Sequence, residues 1–290
     1  MWQRAGSASS RCRMTAASRG ALTWPILYGH ASVERLDGRV GLVTGGGRGI
    51  GEAVARELAA YGMRIAVTGR TEMQVRTVSE AIGGLGLIGD VSRQRDVEGW
   101  VAETERQLGP IDLLVNNAAM VGAPEPFWEH PPSEWWRVFE VNMLGTFLCC
   151  HAVAGGMVER GQGRIVNVTS GASYIPQLPA VGSDTSYPPS KAAVNRFTER
   201  LAVALAGYGV FAFAVAPGIV RTDMTASLAG EIPWTPLEAP ARLIRGIAEG
   251  RADALSGRYL HAEHDADLDA LAARADDVIQ KDLNAIRLRR

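Results

Sequence analysis

A phenol and an ammonium sit four residues apart in Tyr187-Pro-Pro-Ser-Lys191. At that spacing two side chains project from one face of a helix. Pro188 and Pro189 are tolerated only in the first turn, so the pair is expected at a helix start. An ordinary phenol titrates at about 10 and is a poor base at neutral pH, and a neighbouring ammonium favours the phenolate and brings that value down. Together the two groups are suited to give and take a proton. The spacing alone recurs by chance in many sequences, so its weight depends on its surroundings.

Thr44-Gly-Gly-Gly-Arg-Gly-Ile-Gly51 lies between a short apolar run and a helical pattern. Glycines there permit a tight turn and close approach to a pyrophosphate, and the helix N-terminus supplies free N–H groups and a positive dipole end. Thr44, Gly45, Arg48, Gly49, Ile50 and Gly51 are the candidate dinucleotide contacts. The Gly-Lys-Ser/Thr ending of a P-loop is absent. In an NAD site an acid at the end of the second strand accepts from the ribose 2′-hydroxyl. Here that strand ends Thr68-Gly69-Arg70, with no acid. Arg70 could instead pair with a 2′-phosphate, and Arg48 could approach the same group, because a guanidinium fork suits phosphate. NADP(H) is therefore the expected cofactor, NAD(H) the alternative; otherwise both arginines are simply solvated.

The pattern TGxxxGIG resembles that of the short-chain dehydrogenases/reductases, and further motifs follow in that family's order. They are Asp90 in Gly89-Asp-Val91, Asn116-Asn-Ala-Ala119 with Ala119 in place of a glycine, Val141-Asn142, and Ile165-Val-Asn-Val-Thr-Ser170. The Tyr187–Lys191 pair comes next, then Pro217-Gly-Ile-Val-Arg-Thr-Asp-Met224. The resemblance implies an α/β single-domain Rossmann fold, a doubly wound parallel sheet with helices on both faces. It implies an NAD(P)(H)-dependent oxidoreductase interconverting a secondary alcohol and a ketone, or an aldehyde. Tyr187 would be the acid in reduction and the base in oxidation. Lys191 would lower its pKa and bind the nicotinamide ribose, Ser170 would hold the substrate oxygen, and Asn142 would anchor a water in the proton relay. Asp90 and Val91 would meet the adenine, Asn116 and Ala118 would support the adenosine pocket, and Pro217, Gly218, Val220 and Thr222 would contact the nicotinamide.

Two departures stand out. The interval from Ser170 to Tyr187 is longer than usual, with Ser173 nearer the ordinary spacing; strand register favours Ser170. The usual C-terminal glycine pair is missing, which questions tetramer contact through that edge; a homo-oligomer is expected, a homodimer through the long helices or a homotetramer. A catalytically inactive dinucleotide-binding sensor on the same fold is the alternative, although such proteins typically lose the Tyr or the Lys. A sugar-nucleotide epimerase or dehydratase would carry a TGxxGxxG loop and a larger C-terminal domain.

The elements that must position these groups alternate regularly. Apolar runs at residues 40–44, 64–68, 85–88, 111–115, 164–169 and 210–215 predict strands. Helical spacing covers 51–61, 71–82, 97–108, 133–159 as one long helix with Ser133 as N-cap, and 191–208. Strands alternating with helices predict a parallel sheet. The loop after Met224, through Trp234 and Pro236, should cover the pocket, with Tyr174, Ile175, Leu228 and Ile232 as an apolar lining. Residues 37–265 form the expected catalytic domain and 266–290 a helical tail.

The bulk properties fit such an enzyme. Hydrophobic residues are 47%, charged residues 21% and formal net charge is −1, which excludes the basic footprint of a nucleic-acid binder. The apolar run 210–220 is too short for a membrane helix and is interrupted by Pro217 and Gly218. The three cysteines, Cys12, Cys149 and Cys150, make no disulfide framework or zinc spacing and suit a reducing compartment. His261 and His264 among acids match no standard metal-ligand set, so no metal is expected. Residues 1–36 read as a disordered or targeting-like extension; 1–33 carry Arg4, Arg11, Arg13 and Arg19 without an acid. Cytoplasmic location is expected, organelle targeting the alternative.

Overall fold

The structure is a computed structural model and describes residues 34–122, 125–175, 184–226, 228 and 231–287. Of the extension expected at residues 1–36, residues 1–33 lie outside the described residues, whereas Glu34 pairs with Arg39 and Arg164 and Leu36 is buried in the core. Seven strands form one parallel sheet: β1 (Val40–Thr44), β2 (Arg64–Gly69), β3 (Leu85–Ile88), β4 (Ile111–Asn116), β5 (Gly163–Val168), β6 (Val210–Ala216) and β7 (Tyr259–His261). Their spatial order is β3-β2-β1-β4-β5-β6-β7, every neighbouring pair parallel. The order reverses between β1 and β4, and in open α/β sheets that switch point opens a crevice at the strands' carboxyl ends. The glycine loop, after β1, and the asparagine pair, at the end of β4, flank it.

β1 and β5 are buried along their whole length. This is why they are apolar runs rather than alternating ones: helices cover both faces. On one face α1 (Gly49–Ala60) packs against α7 (Glu238–Ala248) over Val43, Val67, Val115 and Phe213. On the other, α3 (Gln94–Leu108) and α5 (Gly145–Arg160) cover Leu42, Leu114 and Ile165. Cys149 and Cys150 belong to this second core and are free thiols, with burial pushing both up, Cys150 to about 12. They are packing residues.

The long helix expected at 133–159 is in fact three pieces: α4 (Pro132–Phe139), a π turn over Glu140–Leu144, and α5. Ser133 is not the N-cap. The helix starts one residue earlier, after Pro131, with Pro132 in the first turn where its missing N–H is harmless. The whole run Pro132–Arg160 is long and apolar enough to cross a membrane, but half of its most apolar window is buried inside the fold. α6 runs over Tyr187–Leu205 and so begins at the tyrosine. α2 occupies Glu72–Ala81. The tail forms two short helices, α8 (Leu268–Ala272) and α9 (Ala275–Gln280), where a single one was expected.

Candidate active site

The glycine loop takes its shape from backbone requirements and from two polar side chains. Gly45 and Gly49 adopt φ of +63° and +58°, the left-handed region where glycine has no Cβ penalty. A Cβ on Gly51 would lie 2.3 Å from the Gly45 carbonyl oxygen. Thr44 Oγ1 accepts from the N–H groups of Asn117 (3.0 Å) and Ala118 (3.1 Å). Asn117 Nδ2 returns bonds to the carbonyls of Thr44 (3.0 Å) and Gly45 (3.1 Å). The loop after β1 is thus laced to the end of β4. No side chain caps α1, so its first-turn N–H groups remain free for an anion.

A cavity of about 410 Å³ runs along this crevice, lined at one end by Gly45, Arg48, Gly49, Ile50 and Arg70 and at the other by Tyr187, Lys191 and Pro217. The residues fit a dinucleotide: a cradle that admits no side chain, an uncapped helix start, and a buried Thr68 hydroxyl in the wall with no partner among the described residues. Arg70 is exposed at the end of β2. Arg48 behaves differently from expectation, because its guanidinium pairs with Asp223 in the loop after β6. Both side chains are exposed, so this bridge is weak and a phosphate can compete for Arg48.

Several expected contacts sit behind the cavity instead of in its wall. Asn116 is buried in the sheet, donating to Asn167 Oδ1 at 2.8 Å and to Cys150 Sγ at 3.3 Å, while Asn167 donates to Thr198 Oγ1 on α6 at 2.9 Å. Strand alternation explains this, since successive side chains point to opposite faces. The lining residues are Asn117, Ala118, Ala119 and Met120. Thr44 and Gly51 likewise shape the loop from beneath, and Gly218 and Val220 back the wall that Pro217, Thr222 and Met224 complete. Gly218 has φ +80°, and its place is enforced by Thr235, whose Oγ1 would be 2.0 Å from a Cβ there. Asp90 and Val91 do line the cavity. The Asp90 carboxylate accepts from Ser92 N (3.0 Å), Ser92 Oγ (2.7 Å) and Arg137 on α4. Although burial opposes it, these partners hold the carboxyl below its usual range.

At the far end, α6 brings Tyr187 and Lys191 together, the ammonium 5.7 Å from the phenol ring centroid. Both are buried. Lys191 Nζ donates to the Val168 carbonyl at 2.8 Å. Ser170, just past the end of β5, is near enough to Tyr187 for its hydroxyl to favour the phenolate. Its Oγ also accepts from Ala172 N at 3.1 Å, which starts the short turn Gly171–Ser173. Ser173 points elsewhere, donating to the Ser170 carbonyl (2.6 Å) and accepting from Asn195 Nδ2 (2.7 Å).

The protonation state differs from the simple expectation of a lowered phenol. Burial pushes Tyr187 up to about 12, with the Ser170 hydroxyl opposing it and the Asp184 charge adding to it. Burial also pushes Lys191 down to about 8. Removing a charge from water costs more here than the pair's mutual effect recovers. Asn142 lies in the π turn with both amide donors engaged: Nδ2 donates to Met120 O (2.9 Å) and Ser190 Oγ (2.9 Å), while Oδ1 accepts from Met120 N (2.9 Å). Its backbone carbonyl accepts from Thr146 Oγ1 at 2.7 Å, so a water on Asn142 would use the remaining acceptor capacity of these two oxygens.

The residues that sequence reasoning passed over include Asn117, which was legible as the second asparagine of its motif, and Arg221, which lines the cavity with its guanidinium 4.5 Å from the Trp234 ring centroid. Tyr174 packs edge-on against Tyr259 at 5.4 Å. His261 and His264 stack 4.4 Å apart, and with Glu263 their ligand atoms lie within 4.8 Å of one another. That group straddles the end of β7, with His261 half-buried and Glu263 and His264 exposed, and is not part of the cavity lining.

Comparison with known proteins agrees with the geometry. The family model described as short chain dehydrogenase matches residues 39–232. A short chain dehydrogenase of Pseudocercospora fijiensis is 35% identical over 199 residues, 66% of this chain and 63% of that one. The short chain dehydrogenase mpl6 of Monascus purpureus is 31% identical over 265 residues, 87% of this chain and 89% of its own. A crystal structure of a gluconate 5-dehydrogenase from Burkholderia cenocepacia, in complex with NADP and tartrate, superposes with a TM-score of 0.71 at 30% identity. It covers 78% of this chain and 94% of that one. A laced glycine cradle, a buried phenol–ammonium pair at the other end of one crevice, and these matches place the chain in the short-chain dehydrogenase/reductase family of NAD(P)-dependent oxidoreductases.

Proposed function

We propose that this enzyme interconverts a secondary alcohol and a ketone, or an aldehyde, with Tyr187 as the acid and base and NADP(H) as the preferred cofactor. The observation that carries the reading is the buried Tyr187, with the Lys191 ammonium 5.7 Å from its ring centroid and Ser170 favouring its phenolate, in the wall of the cavity that the glycine loop also lines. When bound, the cofactor supplies or accepts the hydride. In reduction Tyr187 gives its phenolic proton to the carbonyl oxygen, which Ser170 holds; in oxidation the proton returns. Lys191 keeps donors free for the nicotinamide ribose beyond the one it gives Val168, and its positive charge favours the phenolate left behind. Asn142 supports the relay as a positioning residue, through Met120 and Ser190.

Arg70, cationic at the end of β2 with no acid in its place, supports NADP(H). The working enzyme on this reading is a cytoplasmic homodimer joined through α5 and α6, where Phe147 and Val203 are exposed apolar residues. Tyr187→Phe removes only the hydroxyl. It is expected to bind NADPH with unchanged affinity by fluorescence titration and to lose turnover by on the order of a thousandfold, within the range for general acid–base groups. Retained turnover on a panel of ketones and aldehydes refutes the mechanism. Cofactor binding without turnover in the parent protein favours the inactive sensor.

A further inference from the structure

Asp184 lies three residues before Tyr187 and carries no role in the reading above. Its carboxylate accepts four hydrogen bonds. Oδ1 takes them from Ser186 N (2.7 Å), Ser186 Oγ (2.6 Å) and Tyr187 N (3.2 Å), and Oδ2 from Gly122 N (2.6 Å). The first turn of α6 has few donors to satisfy, because Pro188 and Pro189 have no N–H and Ser190 N already bonds the Ser186 carbonyl at 3.1 Å. Asp184 takes the two that remain at the helix start, those of Ser186 and Tyr187.

The fourth bond reaches across the molecule. Gly122 belongs to the loop after β4, and a Cβ on it would lie 2.4 Å from Ser186 Oγ and 2.6 Å from Asp184 Oδ1. That loop is therefore pressed against the start of α6. Asn142 grips it from the other side through Met120 N and O and reaches Ser190 Oγ, which donates to the Tyr187 carbonyl at 2.7 Å. The backbone of Tyr187 is consequently held at its N–H by Asp184 and at its carbonyl by Ser190.

The charge matters as well as the geometry. An anion at the N-terminus of a helix offsets the positive end of its dipole, and this is the turn that carries the phenol. Among the described residues, the groups facing Tyr187 are Lys191 from its own helix, Asp184 from the preceding loop and the neutral Ser170 hydroxyl just past the end of β5. Val138, Ala172, Met120 and Val121 complete the surroundings with apolar contacts.

We propose that Asp184 is a positioning residue for the proton transfer, tying the Tyr187 turn to the loop after β4 and biasing the phenol toward its proton-donating form. The inference rests on the assignment of Tyr187 as acid and base. The test compares the parent with Asp184→Asn, Asp184→Ser, Asp184→Glu and Tyr187→Phe. Tyrosinate absorbance is titrated for each and corrected by subtracting the Tyr187→Phe signal, alongside the pH dependence of kcat in the oxidation direction. Removing an anion favours the phenolate. Asp184→Asn and Asp184→Ser are therefore expected to move both the tyrosinate transition and the rise in oxidative kcat to lower pH, by roughly half a unit to one unit. Asp184→Glu, which keeps the charge, is expected to leave both near their original pH, and KM for the cofactor should change by less than twofold. Serine keeps an oxygen acceptor for the helix start, so it serves if the asparagine variant fails to fold. Lower rates with both transitions unmoved in a folded variant reduce Asp184 to a structural cap and overturn the proposal. Turnover retained in Tyr187→Phe overturns the reading beneath it, whatever Asp184 does.

Discussion

Burial acts on Tyr187 and Lys191 in opposite senses on the pH scale, toward the neutral form of each. With the phenol pushed up to about 12 and the ammonium down to about 8, the state at neutral pH is a protonated phenol beside a charged lysine. That is the arrangement a reductase needs, since the acid must hold its proton until the carbonyl oxygen develops charge. Taking the proton back requires the phenolate, which the Lys191 charge and the Ser170 hydroxyl favour and Asp184 opposes. Cofactor choice is decided at the same scale. Arg70 is exposed just past the end of β2, where the sequence Thr68-Gly69-Arg70 has no acid, so on the proposed reading a 2′-phosphate there would gain a charge-assisted pair worth about 1.5–3 kcal/mol. Arg70→Ala is expected to lower the ratio of kcat/KM for NADPH over NADH on the order of 10- to 100-fold, with the NADH value nearly unchanged. An unaltered ratio assigns the 2′-end to other groups.

Elements place these residues, and they differ in how openly the sequence announces them. The glycine loop was legible because glycine encodes a backbone demand directly: φ near +60° at Gly45 and Gly49, and no room for a Cβ at Gly51. Gly51→Ala puts a methyl 2.3 Å from the Gly45 oxygen, so the loop must open. The expected outcome is a stability loss of about 1–3 kcal/mol, the usual range for overpacking, and a weaker Kd for NADPH by titration. Unchanged cofactor affinity in that variant would remove the loop from the site. The helix start at Tyr187 was legible from its two prolines. The π turn at Glu140–Leu144 was not, because it interrupts no apolar period. It instead aims Asn142 at Met120, 22 residues upstream. Asp184 was hidden for a related reason: it sits in a loop, and its partner Gly122 is 62 positions away. Asn116 stands behind the cavity, bonded within the sheet, and Asn117 stands in its wall. Two adjacent asparagines at the end of a strand must point oppositely, and nothing in their spacing says that Asn117 is the one at the crevice.

At the scale of the whole molecule, the tail closes the sheet. β7 is an edge strand, and an exposed edge offers unpaired N–H and C=O groups to any passing strand. Here Tyr259 N donates to the Asn284 carbonyl at 2.8 Å, and Asn284 Nδ2 returns a bond to Tyr259 O at 3.0 Å. Arg258 adds bonds to Asp282 and to the Leu283 carbonyl. The same segment buries Leu268 and Val278 almost completely, and Leu268 lies so close to Gly246 of α7 that a Cβ there would be 2.7 Å from its Cδ1. A chain ending at residue 263 loses both the edge cover and these two anchors. At about 1.5–3 kcal/mol per buried Leu or Val side chain, roughly 3–6 kcal/mol of stabilisation goes with them, a large share of a domain's net stability. The shortened protein is expected to melt well below the parent and to self-associate through the bared edge, as read by calorimetry and light scattering. If it kept both the melting temperature and the molar mass of the full chain, the tail would be a passive appendage and the edge of β7 would be protected by some other means.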